Sequence, residues 1–266
     1  MTAALKTNTE SSLLRSDADG IATLTLNRPA QRNALACELM TACERELEAI
    51  AKDGSVRVVV LAANGPAFCA GHDLKEMRVN PGREFQEALF RQCSRVMLAI
   101  TRLPQPVIAR VHGPAFAAGC QLVATCDIAI AAESAIFSTP GVHIGLFCST
   151  PMVALSRAVS RKAAMDMLLT GEPITATRAH EIGLVTRVVP AEALDGTVAE
   201  IARKLLAKSP RVLKIGKEAF YRQIEMGLAE AYDYASKVAT ENMMLRDAGE
   251  GIDAFIAKRP PRWTDQ

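Results

Sequence analysis

The chain has 266 residues, 49% of them hydrophobic, and a formal net charge of +2. This length and apolar content are sufficient for a large buried core in one domain. Because the charge is small and basic residues are interleaved with acidic ones, the composition argues against nucleic-acid binding, and any anion that is recognised must be bound locally.

The cysteines and histidines predict neither disulfides nor a metal site. The seven cysteines contain no CxxC pair and the four histidines no HxxxH spacing, a pattern typical of reduced thiols in a cytosol-like compartment. The N-terminus has no secretory-signal pattern, and the longest apolar stretch, 115–132, is interrupted by polar residues and predicts buried core. We therefore expect a cytoplasmic protein that does not insert into membranes.

The first half of the chain alternates strand and helix patterns. Residues 1–12 are polar and predict a flexible tail, whereas 21–26 alternate apolar and polar residues as a half-buried strand does. Amphipathic periodicity predicts helices at about 33–51 and 83–101. Between them, the β-branched run at 56–62 is typical of a strand covered on both faces. This order indicates an α/β fold.

The stretch 107–132 is the segment around which the other elements are organised. It predicts a buried strand, a small-residue turn, a short apolar helix and a second buried strand. Ala117, Ala118 and Gly119 leave backbone amides unshielded where the helix begins, so an oxygen carrying negative charge could be bound there. One turn further on is Gln121, whose carboxamide cannot act as a base.

The second half of the chain is predicted to be mainly helical. Residues 137–150 are rich in glycine and turn residues and predict an irregular loop that lines the same cleft. One further strand is predicted at 185–189. Helices are predicted at 151–160, 162–169, 176–181, 191–208, 211–226, 228–245 and 250–259.

Five motifs occur in an order that resembles the crotonase superfamily, to which enoyl-CoA hydratases and isomerases belong. They are LNRPAQRNAL (26–35), FCAGHDLKEM (68–77), GPAFAAGCQLVATCD (113–127), TGEPITATRAHEIGLVTRVV (170–189) and EGIDAFIAKRPPRW (250–263). The resemblance covers 13–263 and implies an α/β fold with a crotonase-like ββα spiral core. It divides the chain into a tail over 1–12, the spiral core over 13–200 and a helical C-terminal trimerisation region over 201–266.

The resemblance implies a site for the thioester of an acyl-CoA. In the family, two backbone N–H groups hold the thioester oxygen while enolate-like charge develops, and the matching residues are His72 and Ala118. Because only the backbone donates, the side chains at these positions are free to vary. The implied CoA contacts are Arg28, Ala30, Ala70, Gly71, Asp73 and Leu74, with Phe255 and Lys258 approaching from a neighbouring subunit.

The same resemblance implies how the protein is assembled and what it binds. No cofactor is bound permanently, because the coenzyme A thioester is itself the substrate or ligand. The implied assembly is a homotrimer or a dimer of trimers.

Hydratases of the family use two glutamates around an attacking water, and neither is present here. The first position is Gln121 and the second is Gly141. Activating water and delivering a proton to carbon each contribute about a hundredfold or more, and these two residues can do neither. Gln121 is expected to hold a substrate carbonyl or a water, or merely to fill the place of the glutamate. Within the family, the sequence is most similar to a subgroup that carries the hydratase name by relationship.

Three other residues have alternative interpretations, and two aspartates are predicted to be structural. The His72 ring is a candidate base, although the family uses its backbone, and His143 is either a replacement for the second glutamate or a loop histidine bonded to backbone. Cys148 is either a nucleophile or a buried inert thiol. Asp73 is predicted to cap and order its loop, and Asp127 to be structural.

Three functions stay open from the sequence. The first is an acyl-CoA-binding enzyme, nominally hydratase-like, that polarises the thioester carbonyl. The second is a non-catalytic acyl-CoA-binding protein, which the missing glutamates favour. The third is another crotonase chemistry, such as thioester hydrolysis, isomerisation or decarboxylation, carried out by His72, His143 or Cys148.

Overall fold

The computed structural model describes residues 11–265, so residues 1–10 of the predicted tail lie outside the described part of the chain. The strands are β1 Leu13–Ala18, β2 Ile21–Leu26, β3 Val58–Ala63, β4 Val107–Val111, β5 Ala115–Phe116, β6 Ile128–Ala132, β7 Ile136–Ser138, β8 Ile174–Thr175 and β9 Arg187–Val189. The α-helices are α1 Cys37–Lys52, α2 Leu74–Val79, α3 Arg83–Arg102, α4 Ala118–Thr125, α5 Ser149–Ala158, α6 Arg161–Thr170, α7 Ala176–Glu181, α8 Leu194–Leu206, α9 Pro210–Gln223, α10 Leu228–Met243 and α11 Arg246–Ile256. Short 3-10 helices span Pro29–Gln31, Pro140–Ile144 and Ala191–Ala193.

The larger sheet has six strands in the order β1-β2-β3-β4-β6-β9. β1 pairs antiparallel with β2, and the other neighbouring strands are parallel. Every residue of β3 is buried, because Val58 and Val60 pack against α8 while Val59 and Leu61 face the core that includes α1 and α3. The prediction of a strand covered on both faces is therefore confirmed.

A smaller three-stranded sheet, in the order β5-β7-β8, begins just after β4. Cys69 forms an isolated parallel bridge with Ala115 of β5, which ties the segment after β3 to the segment before α4. The stretch 107–132 contains the predicted strand, turn, helix and second strand, as β4, the turn after β5, α4 and β6. This arrangement brings two backbone turns together at the start of α4.

The structure differs from the predictions in several segments, including β1 and 137–150. β1 was not predicted, because only Leu13 of its six residues is buried and its polar sequence carries no apolar alternation. The segment 137–150 is not an irregular loop, since it contains the end of β7, a 3-10 helix and the start of α5. Pro140 stands in the first turn of that 3-10 helix, where its fixed φ favours helical geometry.

The C-terminal helices are fixed to the core through α9. Lys217 Nζ donates to Ile100 O at 3.0 Å, to Gln105 O at 2.9 Å and to Asp127 Oδ2 at 2.7 Å. Tyr221 OH donates to Asp127 Oδ1 at 2.9 Å. The structural role predicted for Asp127 is confirmed.

Beyond α9, helices α10 and α11 present apolar side chains to solvent. Leu228, Tyr232 and Phe255 are between 69% and 85% exposed. Within residues 11–265, no helix is both long enough and apolar enough to cross a bilayer.

Candidate functional site

The turn at Gly71 lies directly against the turn that begins α4. Gly71 has a φ of +101°, and a Cβ atom added there would lie 2.9 Å from Ala117 Cβ and 3.2 Å from Phe116 O. Glycine is required for both the backbone angle and the close approach. The loop is held in place by Leu35 N, which donates to Gly71 O at 2.7 Å.

Two backbone amides remain free where these turns meet. Among residues 11–265, no protein atom accepts a hydrogen bond from the N–H of His72 or of Ala118. Ala118 is the first residue of α4, and Gln121 N donates to Ala117 O at 3.0 Å as the helix begins. The first amides of a helix have no partner within it and attract negative charge. The structure thus brings together the two predicted donors.

The turn into α4 is strained at Ala117, the residue directly before the Ala118 amide. Ala117 has φ 48° and ψ −117°, a conformation that non-glycine residues rarely adopt and that costs about 1–3 kcal/mol. Its own N–H donates to Ser138 O at 2.9 Å, which holds the turn against β7. Gly119 allows the close docking of α4, since a Cβ there would lie 2.1 Å from Cys69 O.

The His72 side chain is packed away rather than presented as a base. Its ring meets Phe90 of α3 edge-on, with centroids 5.4 Å apart, and its Nε2 is buried without a hydrogen-bond partner. Burial lowers the pKa of His72 to about 4, so the imidazole is neutral near pH 7. The residue offers its backbone N–H, and the interpretation of the ring as a base is not supported by its contacts.

Gln121 is a buried amide, 4% exposed, on the first turn of α4. Its Oε1 accepts a hydrogen bond from Cys93 Sγ of α3 at 3.8 Å. Thr125 Oγ1 donates to the Gln121 carbonyl oxygen at 2.7 Å. A neutral carboxamide in this position can orient a polar group and cannot transfer a proton.

Gly141, the predicted position of the second family glutamate, has no room for a side chain. A Cβ atom added at Gly141 would lie 2.0 Å from Leu146 O and 2.9 Å from Cys148 Sγ. The same turn is closed by Leu146 N, which donates to Gly141 O at 2.9 Å. The loop that follows Pro140 is therefore folded around glycine.

The surroundings of His143 and Cys148 bear on their predicted roles as replacements for the missing groups. His143 is exposed, and its Nε2 lies 2.8 Å from the place where a Cβ of Gly171 would be. Within residues 11–265, no hydrogen bond or ring contact joins His143 to His72 or Gln121. Burial raises the pKa of the Cys148 thiol, although a backbone hydrogen bond from Gly141 acts in the opposite direction. The Cys148 contacts are those of a buried, protonated thiol.

The predicted CoA-binding loop is held by an ion pair. Arg28 Nη2 donates to Asp73 Oδ2 at 3.0 Å, and both side chains are largely buried. Asp73 caps α2, accepting hydrogen bonds from Lys75 N at 3.1 Å and Glu76 N at 3.2 Å, so the predicted capping role is confirmed. Burial alone would raise the pKa of Asp73, but the hydrogen bonds from Glu76 and Arg28 lower it. Next to this pair, Leu74 is 52% exposed.

Asn33 organises the same loop, a role that was not predicted from the sequence. Its Oδ1 accepts from Arg28 N at 2.8 Å, and its Nδ2 donates to Asn64 O and Ala67 O at 2.8 Å each. Asn33 has a φ of 55°, which delays the start of α1 from the predicted residue 33 to Cys37. The signal available was an asparagine within a turn, since this residue type tolerates positive φ.

Phe255 lies in the last turn of α11, and Lys258 follows two residues after the helix ends. Phe255 is 85% exposed. No described hydrogen bond, ion pair or ring contact connects either residue with His72 or Ala118. Their predicted approach to CoA from a neighbouring subunit stays a prediction.

A cavity of about 1070 Å³ opens beside Gln121. It lies between α3, α4, α5 and α9, and its apolar walls include Met97, Val123, Val153 and Ile224. His72 and Ala118 do not line this cavity.

All seven cysteines are free thiols, and within residues 11–265 no group of three or more His, Cys, Asp or Glu is arranged to hold a metal ion.

Comparison with known proteins decides the family. A family model described as enoyl-CoA hydratase/isomerase matches residues 16–266. The chain belongs to the enoyl-CoA hydratase/isomerase family. Mitochondrial enoyl-CoA hydratase domain-containing protein 3 of Rattus norvegicus is 46% identical over 246 residues, which are 92% of this chain and 82% of the relative. The 2,3-dehydroadipyl-CoA hydratase of Escherichia coli is 34% identical and matches 94% of this chain and 98% of its own length.

Solved structures of enoyl-CoA hydratase/isomerase proteins have the same fold. An enoyl-CoA hydratase from Mycobacterium smegmatis superposes with a TM-score of 0.94 and 54% identity, covering 96% of this chain and 99% of that chain. Human enoyl-CoA hydratase domain-containing protein 3 superposes with a TM-score of 0.92 and 45% identity, covering 95% and 100%. The crotonase fold and the predicted similarity to the domain-containing protein 3 subgroup are confirmed.

Proposed function

We propose that this member of the enoyl-CoA hydratase/isomerase family binds an acyl-CoA thioester and polarises its carbonyl between the backbone N–H groups of His72 and Ala118. The observation that carries the proposal is the contact of the Gly71 turn with Ala117, which juxtaposes two amides that have no acceptor within the described residues. Donors fixed before the ligand arrives stabilise developing charge without reorganisation, and one such donor contributes about 3 kcal/mol.

The acyl chain is proposed to pass Gln121 and enter the cavity between α4 and α9. The apolar side chains that line this cavity suit a hydrocarbon chain, and Gln121 also lines it. The CoA moiety is assigned to the loop held by Arg28 and Asp73, with Ala30, Ala70 and Leu74 beside it.

We propose a trimer or a dimer of trimers in which Phe255 and Lys258 of one subunit approach the CoA of another. The exposed apolar side chains of α10 and α11 support this assembly, because large exposed apolar patches are rare on monomeric proteins and mark contact surfaces. A cytoplasmic location is also proposed, on the basis of the free thiols.

Water addition is not part of the proposed activity. A hydratase needs a group that activates water and a group that protonates carbon, each contributing about 10²–10⁴. Gln121 cannot supply a base, and Gly141 has no side chain. We therefore expect hydration at least about 10⁴-fold slower than in relatives that have both groups.

Two measurements on the purified full chain test this proposal. Titration calorimetry with butyryl-CoA and with CoA alone tests whether the thioester adds to the affinity, and a spectrophotometric assay measures hydration of crotonyl-CoA. Tighter binding of butyryl-CoA without rapid hydration is expected. Hydration at rates typical of enzymes would refute the absence of water addition, and equal affinity for butyryl-CoA and CoA would refute the thioester site.

A further inference from the structure

The two ends of the Gln121 carboxamide have different surroundings. Oε1 accepts the hydrogen bond from Cys93 Sγ at 3.8 Å, and Cys93 is fully buried. Within residues 11–265, no protein atom accepts a hydrogen bond from Gln121 Nε2, and Nε2 is not among the fully buried atoms that lack a partner. The oxygen already accepts one hydrogen bond, whereas the amino group has no protein acceptor among these residues.

The protonation of the thiol supports this orientation of the amide. Burial raises the pKa of Cys93 to about 12, so the group keeps its proton and is a donor. Rotating the carboxamide by half a turn would place N–H donors against a weak sulfur acceptor and leave the thiol proton without an oxygen. The orientation with Oε1 toward Cys93 makes the better use of both groups.

The free amino group belongs to the same helix turn as one of the two backbone donors, since Ala118 and Gln121 both lie in the first turn of α4. Side chains on a helix lean toward its N-terminus, so Gln121 leans toward Ala118, which lies about 4.5 Å away along the helix axis. Helix α3 contacts both the His72 turn and the start of α4. Phe90 packs on His72, and Cys93, three residues after Phe90, donates a hydrogen bond to Gln121. Residues three apart lie on one face of a helix. One face of α3 therefore supports both the His72 turn and Gln121.

We propose that Gln121 donates a hydrogen bond to an oxygen on the third carbon of the acyl chain, that Cys93 positions it, and that the ligands are 3-oxoacyl-CoA thioesters. This inference rests on the proposed function, because the thioester oxygen must first be held by His72 and Ala118. An amide that offers only N–H complements a ketone oxygen, which only accepts. A hydroxyl oxygen could accept from Nε2 as well, but its own proton would also need an acceptor. Oε1 is turned toward Cys93, whereas a family glutamate would accept that proton.

The proposal is tested by titration calorimetry of the full chain with acetoacetyl-CoA, 3-hydroxybutyryl-CoA and butyryl-CoA near pH 7 in magnesium-free buffer. One well-made hydrogen bond predicts that acetoacetyl-CoA binds about fivefold to tenfold tighter than butyryl-CoA. In Gln121→Leu this ratio is expected to fall to about 2 or less, because no donor remains.

Variants of the thiol separate positioning from a general effect on packing. Cys93→Ser keeps a donor toward Oε1 and is expected to keep the preference, whereas Cys93→Ala is expected to lose most of it. Cys43→Ala, which removes a buried thiol from α1, is the matched control and is expected to leave the ratio unchanged. A purely structural role of Cys93 would weaken all three ligands equally and leave the ratio unchanged.

The possible outcomes are distinct. Equal affinity for the three thioesters, or tighter binding of 3-hydroxybutyryl-CoA than of acetoacetyl-CoA, would overturn this inference while the proposed function stands. An unchanged ratio in Cys93→Ala would overturn the positioning role. Absence of binding by all three thioesters would overturn the inference together with the proposed function.

Discussion

The α-carbon of Gly71 faces the backbone nitrogen of Ala118. A Cβ atom added to Gly71 would lie only 3.5 Å from that nitrogen and 2.9 Å from Ala117 Cβ. Two turns 47 positions apart in sequence thus share one point in space, and each brings a free amide to it. A substitution that separates these turns is expected to weaken the hydrogen bonds to a thioester oxygen.

Gly71→Ala is expected to weaken butyryl-CoA binding about tenfold or more, because the new methyl group meets Ala117 and forces the two amides apart. Gly145→Ala is the matched control, since Gly145 also has a positive φ, 73°, but has open space around its α-carbon. Calorimetry of both variants checks this prediction. Equal loss of affinity in the two variants would show that backbone strain, rather than separation of the amides, is responsible.

Gly141→Ala is expected to destabilise the fold by about 1–3 kcal/mol, because a Cβ there would be 2.0 Å from Leu146 O. Gly82→Ala serves as control, as nothing lies within 4 Å of a Cβ at that position. Urea unfolding of the two variants measures the difference. Unfolding free energies that change equally in both would contradict the close packing around Gly141.

The same crowding has a functional consequence. Gln121→Glu combined with Gly141→Glu restores both glutamates in sequence, but the second side chain has no space unless the loop refolds. The double variant is therefore expected to remain a poor hydratase of crotonyl-CoA. Recovery of hydration to the rates of typical enzymes would show that the loop adapts to the new side chain.

The buried His72 ring predicts a pH-dependent contribution to stability. In the unfolded chain His72 takes up a proton near pH 6.5, whereas in the folded protein burial lowers its pKa to about 4. The unfolded state binds more protons between these values, so the free energy of unfolding falls as the pH decreases through this window. From pH 7 to pH 5 the loss due to His72 is about 2 kcal/mol. Urea unfolding at both pH values should show this loss in the unmodified chain and lack it in His72→Phe.

Lys217→Met is expected to destabilise the protein by about 3–5 kcal/mol, because it leaves Asp127 buried without its cation. The side chains of Lys217 and Asp127 are only 8% and 17% exposed. Burial lowers the pKa of Lys217 even though Asp127 opposes this effect. Lys204→Met breaks the exposed pair with Glu200 and should cost less than about 1 kcal/mol. Thermal and urea unfolding provide the comparison. Similar losses in the two variants would contradict a buried anchor for α9.

Local patterns and motifs predicted much of this molecule. The apolar run in β3 and the periodicity of α3 follow from the sequence alone, and the motifs around Gly71 and Ala118 identify the two amides. The long-range contacts were not predictable in the same way. Cys93 and Gln121 are 28 residues apart in sequence, and neither local sequence pattern predicts their hydrogen bond.

Steric and edge effects also escaped prediction. The crowding at Gly141 depends on how the chain returns at Leu146, which a sequence pattern does not specify. β1 is held by its register with β2, Leu13 opposite Leu26, rather than by an apolar pattern of its own. Such features arise from tertiary packing, which overrides local propensity.

Polarisation of the thioester carbonyl is measured most directly by isotope-edited infrared spectroscopy of butyryl-CoA labelled with ¹³C at the thioester carbonyl. Hydrogen bonds from His72 and Ala118 are expected to lower the carbonyl stretching frequency in the complex below its value in water, and Gly71→Ala is expected to remove most of that shift. A bound carbonyl that absorbs at the same frequency as the free thioester in water would contradict the proposed site.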